Sequence, residues 1–234
     1  MVISTDPLFD PTEVQLFYSI CKRRDIRALQ AFLDTEPRLF RAIAGDAYGA
    51  NGPGISPVAW NVHAGWDLGL LAIAARPDLV NYNQTDRYGR TALHWLVMAN
   101  NVRQDRLLLR YIEAIPEPNR ASLDGNQADV AKLTPLHHAA RNLDLEATEI
   151  LLSLPGIDPE ICSNGYHFTE FSPHDLSNYA SSASQKRLDH DEAMNRIAMY
   201  RAMARNLLLN RIARQTSDMP TEEQLKKMDI YAAI

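Results

Sequence analysis

The sequence predicts an all-α protein built from repeated pairs of helices, and two short motifs carry this prediction. The same pattern occurs in Thr91-Ala92-Leu93-His94 and in Thr134-Pro135-Leu136-His137, and each copy opens an apolar stretch of helical character. A leucine-rich run, Ala147–Leu152, follows the second copy after a short polar break. A motif that recurs in similar surroundings indicates a structural unit that is used more than once along the chain.

The polar turn Asp86–Arg90 precedes the first motif, and this part of the sequence resembles the ankyrin repeat. The pattern of that family is a turn, a Thr-Pro-Leu-His-x-Ala signature and two helices in about 33 residues. The resemblance implies an ankyrin-repeat solenoid. It also implies that the chain binds another protein and is not an enzyme.

Two further helix openings extend the number of predicted repeats. Segments Ser56-Pro57-Val58-Ala59 and Ser172-Pro173-His174-Asp175 stand where the signature is expected. The openings at 56, 91, 134 and 172 are 35, 43 and 38 residues apart. Two prolines and Asp124-Gly125 favour an enlarged loop over Pro116–Gln127, so we expect the excess of the longest spacing to lie there.

The two ends of the chain are predicted to close the array. Thr12–Arg23 has apolar residues near helical spacing, and Asp25–Leu33 resembles the outer helix of a repeat. Residues 189–234 are predicted to form C-terminal capping helices packed on the array, because a solenoid must cover its terminal apolar face. We therefore expect an ankyrin-repeat domain over residues 1–188 with about five repeats, the first and last divergent, near residues 11–45, 51–82, 86–118, 129–160 and 167–188.

The residues of the signature have physical roles. A hydroxyl at Thr91 or Thr134 can accept a hydrogen bond from an unpaired amide at a helix start. Pro135 fits the first helical position because its missing N–H would have no partner there. The resemblance implies that His94 and His137 bond to the threonine and to the backbone of neighbouring loops. We expect both histidines to be buried and structural.

Two kinds of departure from the family pattern predict local weaknesses. Ala59 occupies the histidine position of the second repeat, which predicts a weaker tie to the next loop. Lys132 and Glu170 stand where the turn glycine is expected, which predicts distorted hairpins in the fourth and fifth repeats.

Composition and charge indicate an ordinary globular protein. The chain is 46% hydrophobic and 23% charged, and its net charge of -5 disfavours nucleic-acid binding. Its first eleven residues lack the features of a signal peptide, and the longest apolar stretch, Leu68–Ala75, is too short to span a membrane. We expect a soluble, cytoplasmic monomer with no cofactor, no nucleic-acid partner and no membrane span.

Three arrangements of residues raise the question of metal binding or catalysis. Adjacent residues such as His137-His138 point about 100° apart on a helix and make a poor chelate. Asp189-His190-Asp191 suits an exposed helix start better than a metal site. Cys162, His167 and Asp175 offer a thiol, a base and a carboxylate, but nothing around Cys162 resembles a cysteine-hydrolase signature. We therefore predict no catalytic, cofactor-binding or metal-binding residues.

A binding surface is the remaining function that the resemblance implies. Solenoids of this family present their hairpin tips and first helices on one concave face, where tyrosine and arginine are common interface hot spots. We expect Trp60 and Trp95, which fall at equivalent positions, to pack between repeats. The residues predicted to contact a partner protein are Tyr48, His63, Tyr82, Arg87, Tyr88, Arg90, Met98, Lys132, Arg141 and Asn142.

The sequence therefore predicts a protein–protein interaction module that recruits, positions or blocks its partner. One alternative is a bacterial ankyrin-repeat effector translocated into a host cell cytosol, because Glu222-Glu223 and the apolar end Ile230–Ile234 loosely resemble a translocation signal. A second alternative is an enzyme that uses Cys162, His167 and Asp175. A rival binding site for an acidic partner is the basic segment Arg196–Arg214.

Overall fold

The computed structural model describes residues 11–38, 40, 56–103, 106–142, 144–159, 161–163, 166–167, 195, 197–204, 206–207 and 209. Several predictions fall outside these residues. They concern Tyr48, Glu170, Asp175, His190 and the C-terminal residues 210–234.

Pairs of helices follow one another along the described part of the chain. The elements are α1 (Pro11–Arg23) and α2 (Ile26–Thr35), α3 (Pro57–Ala64) and α4 (Asp67–Ala74), α5 (Ala92–Arg103) and α6 (Leu107–Ala114), the one-turn helix α7 (Glu117–Arg120), and α8 (Pro135–Arg141) and α9 (Leu145–Leu152). A two-residue antiparallel pairing joins β1 (Cys162–Ser163) to β2 (Tyr166–His167). The predicted all-α class is confirmed.

The helix pairs stack in two layers. The first helices, α1, α3, α5 and α8, contact one another in that order, and the second helices, α2, α4, α6 and α9, do the same. Each first helix also contacts its own second helix. Buried leucines from successive pairs, such as Leu29, Leu70, Leu93 and Leu151, belong to one hydrophobic cluster that runs between the layers. Each pair therefore buries its apolar face only by stacking on its neighbours.

Side-chain caps fix where several of these helices begin. Ser56 and Thr134 each accept a hydrogen bond from the amide three residues on, at 3.2 Å and 3.4 Å, and a proline follows each of them at the first helical position. Asp25 and Asp144 cap second helices in the same way, at 3.0 Å and 2.9 Å. A cap of this kind typically contributes about 1 kcal/mol to helix stability.

The extra length of the third repeat lies mainly in its first helix. From the start of a first helix to the start of its second helix there are ten residues in two repeats (57 to 67 and 135 to 145) and fifteen in the third (92 to 107). From α6 to α8 there are 28 residues, against 25 from α4 to α5. The prediction that the whole excess lies in Pro116–Gln127 was therefore wrong, since only three of the eight extra residues lie between α6 and α8.

The physical reason is a missing helix stop. Gly65 ends α3 in the left-handed region, with φ 68°, which costs a glycine little. The equivalent position in the third repeat is Asn100, and neither glycine nor proline follows before Arg103. The helix α5 therefore continues to Arg103, four residues longer than α3.

Asparagines in the loops connect successive repeats. The side chain of Asn83 donates to the carbonyl of residue 122 at 2.6 Å and accepts from the amide of residue 124 at 2.8 Å. Asn126 makes the same pair of bonds to residues 156 and 158, both at 2.8 Å. Each asparagine stands eight residues before its signature threonine. This repeated offset is visible in the sequence but was not among the predictions.

Helical residues 197–204 pack on the same core. Ile197, Tyr200 and Ala204 lie on one helix face, are buried, and belong to the hydrophobic cluster of the repeats. This placement supports the predicted capping role of the C-terminal segment. Among the described residues, no helix combines the length and apolar character that crossing a bilayer requires.

Candidate protein-binding surface

Two hairpin tips, tip three (residues 86–90) and tip four (residues 129–133), are each built around one aspartate. Asp86 Oδ1 accepts hydrogen bonds from the amides two and four residues on, at 2.8 Å and 2.9 Å. Asp129 Oδ1 does the same at 2.8 Å and 3.0 Å. Both carboxylates are buried beneath their tips. The tips are therefore held from inside, while Arg87, Tyr88, Val130 and Lys132 are exposed.

Tip four keeps the same turn as tip three although a lysine replaces the glycine. Lys132 adopts φ 64° and Gly89 adopts φ 71°, and both amides donate to the aspartate carbonyl, at 2.8 Å and 2.9 Å. The prediction of a distorted hairpin was therefore wrong for tip four. The Asp129 hydrogen bonds hold the lysine in the left-handed region at a cost of about 1 kcal/mol.

We expect Lys132→Gly to raise the free energy of unfolding by about 0.5–1 kcal/mol, because glycine adopts the left-handed region without the Cβ penalty. Gly89→Ala should destabilise, since its φ is left-handed and an added Cβ would lie 3.2 Å from the Cα of Asp129. Urea unfolding of both variants measures the two effects. Equal stability of wild type and both variants would contradict the shared left-handed turn.

His94 ties the third repeat to tip four. Its Nδ1 accepts from the amide of Thr91 at 3.1 Å, so the proton must be on Nε2, which donates to the carbonyl of Leu133 at 3.1 Å. His137 Nδ1 lies 2.7 Å from Thr134 Oγ1. Both histidines are buried. The prediction that they are buried and hydrogen-bonded is confirmed.

A second buried histidine supports tip four from below. His138 Nε2 lies 2.9 Å from Asp129 Oδ2, and Trp95 Nε1 lies 3.1 Å from Asp86 Oδ2, so in both tips a ring N–H nine residues on contacts the aspartate. Burial lowers the pKa of His138 despite its bond to Asp129, so the ring is neutral near pH 7 and donates. Burial raises the pKa of Asp129, but bonds from His138 and the Leu133 amide outweigh this and lower it. The imidazole of His138 in tip four and the indole of Trp95 in tip three therefore make the same hydrogen bond to the tip aspartate.

Three side chains in this region also have the composition of a metal site. Ligand atoms of His94, Asp129 and His138 lie within 4.8 Å of one another. Zinc needs an unprotonated nitrogen from each histidine. Here the Nε2 atoms of both histidines carry protons that are donated to Leu133 and Asp129, and His94 Nδ1 already accepts from Thr91. The donor set fits a hydrogen-bond network and not a metal ion.

Stability should fall when the pH drops from about 7 to about 5. Burial lowers the pKa of His94 from 6.5 to about 4. Between these pH values the His94 side chain is therefore mostly protonated in the unfolded state and mostly neutral in the folded state. The stabilisation is complete above the unfolded pKa and is lost as the pH falls towards 4. We expect His94 alone to account for a loss of about 2 kcal/mol between pH 7 and pH 5. Urea unfolding at both pH values tests this, and a His94→Gln variant with an equally steep pH dependence would contradict it.

Aromatic rings form a row along the first helices. The ring centroids of Tyr18 and Trp60 are 5.1 Å apart, those of Trp60 and His63 are 6.4 Å apart, and those of His63 and Trp95 are 6.4 Å apart. The row passes from α1 through α3 to α5. Trp60 and Trp95 are half-buried and pack against the core, as predicted. Three repeats therefore share one surface of aromatic side chains.

Two arginines extend this row to tip three. Arg87 Cζ lies 4.8 Å from the ring centroid of Tyr88, and Arg90 Cζ lies 4.9 Å from the same centroid and 5.7 Å from that of Trp95. We call Arg87, Tyr88, Arg90 and Trp95 the tip cluster. We call the surface formed by tips three and four with α3, α5 and α8 the tip face. Stacking on aromatic rings orients both guanidinium groups before any partner arrives.

The residues predicted to contact a partner fall into different environments. Tyr82 is buried and donates to the Ala74 carbonyl at 2.8 Å, so its assignment was wrong: its hydroxyl finds an acceptor at the end of α4 and its ring joins the core. Tyr48 lies outside the described residues. The exposed residues are His63, Arg87, Tyr88 and Lys132, and the half-buried residues are Arg90, Met98, Arg141 and Asn142.

The cysteines give no sign of a reactive thiol in the described side chains. Burial raises the pKa of Cys21 to about 12, which leaves almost no thiolate at neutral pH. The Cα atoms of Cys162 and His167 are partners across the β1–β2 pairing, but their side chains and Asp175 lie outside the described residues. The catalytic alternative at Cys162 stays an untested prediction.

Comparison with known families gives one match over the region just described. The family model described as ankyrin repeats, in three copies, matches residues 68–162, which run from α4 to β1 and contain both tips. No curated protein matches the chain.

Proposed function

The family match over residues 68–162 shows that this chain is an ankyrin-repeat protein, and we propose that it binds a partner protein on the tip face and so recruits, positions or blocks that partner. Ankyrin repeats are in general protein–protein interaction modules. The observation that carries the proposal is the tip cluster, in which an exposed tyrosine and two arginines project from one hydrogen-bonded tip. These are the residue types that most often dominate binding energy at protein interfaces.

The rigidity of the tips supports the proposal. Asp86 and Asp129 each hold their tip by accepting hydrogen bonds from two backbone amides. The amide of Val130 donates to the carbonyl of Tyr88 at 2.9 Å, which joins one tip to the other. A surface that is ordered before binding loses less conformational entropy when a partner docks. Contacts made by the exposed side chains of the tip face can therefore contribute more of their energy to affinity.

The described residues give less support to the two alternative functions, an enzyme and a bacterial effector. A cavity is lined by side chains of the first three repeats, such as Phe40, Val58 and Tyr111, and the described residues that line it include no carboxylate, imidazole or thiol. Its serine, Ser56, already caps α3. Catalysis at this cavity is therefore not favoured. The effector alternative rests on residues 222–234, which lie outside the described residues.

The test compares a tip variant with a matched variant on the opposite layer. The tip variant replaces Arg87, Tyr88 and Arg90 with alanine. The control replaces Glu113, Glu146 and Glu149, three exposed residues of the second helices, with alanine. The full chain and both variants are used to recover proteins from cell extracts. We expect wild type and control to recover the same partner, and the tip variant to bind it at least about 30-fold more weakly.

The fold of the tip variant is checked by thermal unfolding, because hairpin tips bury little core surface and should tolerate the change. If the tip variant kept full affinity while charge reversal at Arg205 and Arg211 abolished binding, the proposal would be wrong. The binding site would then be the basic C-terminal segment.

A further inference from the structure

Charge is divided between the two layers of the repeat stack. On the tip face, every described charged side chain that reaches the surface is basic, and the acidic ones, Asp86 and Asp129, are buried. These basic residues are Arg87, Arg90, Lys132 and Arg141. The second helices α4, α6 and α9 carry one basic residue, Arg110, and four acidic ones: Asp67, Glu113, Glu146 and Glu149. A chain of net charge -5 thus presents a basic surface at its tips.

The tip arginines have no carboxylate partner among the described residues, whereas three arginines of the other layer and its loops do. Neither Arg87 nor Arg90 makes a side-chain hydrogen bond or an ion pair with any described residue, and both stack on the ring of Tyr88. Arg76, Arg106 and Arg110 are neutralised within the chain. Their ion pairs are Arg76–Asp34 at 2.7 Å, Arg106–Glu146 at 2.8 Å and Arg110–Asp67 at 3.3 Å.

Two like charges on one ring are an unfavourable arrangement that an anion would relieve. The Cζ atoms of Arg87 and Arg90 lie 4.8 Å and 4.9 Å from the Tyr88 centroid, so they are at most about 10 Å apart, a range over which like charges still repel. A guanidinium is a planar fork that matches the two oxygens of a carboxylate. Because stacking already orients these forks, a segment of chain with more than one carboxylate can meet both of them.

We propose that the partner binds through an acidic segment, a stretch of chain whose Asp or Glu side chains lie over Arg87 and Arg90. This inference rests on the proposed function, since it names the chemistry of the partner at the same surface. Val130 is 67% exposed on the adjacent tip and offers an apolar contact beside the arginines. A long nucleic acid is disfavoured as occupant, because the chain as a whole is negatively charged.

The probe is a library of random 12-residue peptides displayed on phage and selected on the full chain. We expect the recovered peptides to contain more Asp and Glu than the input library. A recovered peptide, labelled and measured by fluorescence polarisation, should bind several-fold more weakly at about 300 mM salt than at about 50 mM. Arg87→Gln and Arg90→Gln should each weaken it about tenfold. Arg27→Gln, which changes an exposed arginine of α2, is the matched control and should have no effect.

The outcomes separate this inference from the proposed function. Recovered peptides without acidic enrichment that still lose binding to the triple tip variant would overturn the acidic segment and leave the tip face in place. Acidic peptides that bind the triple tip variant as well as wild type would overturn both, and so would a selection that recovers no binder. Tighter binding of a labelled 12-nucleotide oligothymidine, dependent on Arg87 and Arg90, would replace the acidic peptide with a nucleic acid.

Discussion

Asp129→Ala should lower the free energy of unfolding by about 3–5 kcal/mol, because it removes the acceptor of three hydrogen bonds whose donors are buried or partly buried. The carboxylate accepts from the amides of Ala131 and Leu133 at 2.8 Å and 3.0 Å, and from His138 at 2.9 Å. Alanine would leave the His138 N–H buried without its acceptor and would release the turn of tip four. Urea unfolding at pH 7 measures the loss.

The matched control is Asp86→Ala in tip three. Asp86 accepts two amides and the indole N–H of Trp95 in the same geometry. Trp95 is half-buried, so its N–H is less deeply enclosed than that of His138, and we expect a smaller loss. A loss at Asp129 that does not exceed the loss at Asp86 would contradict the role given to the buried histidine.

His94→Ala should lower the free energy of unfolding by about 2–4 kcal/mol, since it leaves the buried amide of Thr91 without its acceptor and removes the hydrogen bond to the carbonyl of Leu133. Both groups lie 3.1 Å from the imidazole, and the Leu133 carbonyl would keep only its bond from the Asp129 amide. The bond from His94 to Leu133 crosses between repeats, so the variant should also loosen tip four. Thermal unfolding with amide hydrogen exchange at tip four measures both effects.

His63→Ala is the control for this prediction, because His63 is an exposed histidine on the neighbouring first helix. It should change stability by less than about 0.5 kcal/mol. For His137→Ala, which removes the bond to Thr134, we expect a loss of roughly 1–3 kcal/mol. His94 and His63 variants of equal stability would show that the inter-repeat bond contributes nothing.

The elements that the sequence predicted well are those with a local physical cause. The helix openings at Thr91 and Thr134 each have a buried histidine three residues on that contacts the threonine hydroxyl, and this pattern is visible without any tertiary information. The pairing of Asp129 with His138 was also readable, since Asp86 and Trp95 have the same offset of nine residues. It was not predicted, because His137 was expected to be structural and His138 was expected to be an ordinary packed or exposed residue, not a partner of Asp129.

Two other features were predicted wrongly, and only the placement of Tyr82 depends on tertiary packing. Lys132 is held in a left-handed turn by the buried side chain of Asp129, which outweighs the ordinary preference for glycine there. Tyr82 lies close to tip three in sequence, but its ring packs inward and its hydroxyl bonds to α4. The stacking of Arg87 and Arg90 on Tyr88 could be guessed from composition, whereas the absence of carboxylate partners could not.

The central claim is that the tip face is the binding surface, and amide hydrogen exchange of the full chain with and without its recovered partner tests it most directly. The account predicts slower exchange, on partner binding, in peptides that cover tips three and four and helix α5. Exchange in α4, α6 and α9 should be unchanged. Protection confined to those second helices, or to residues beyond 189, with none at the tips, would contradict the claim.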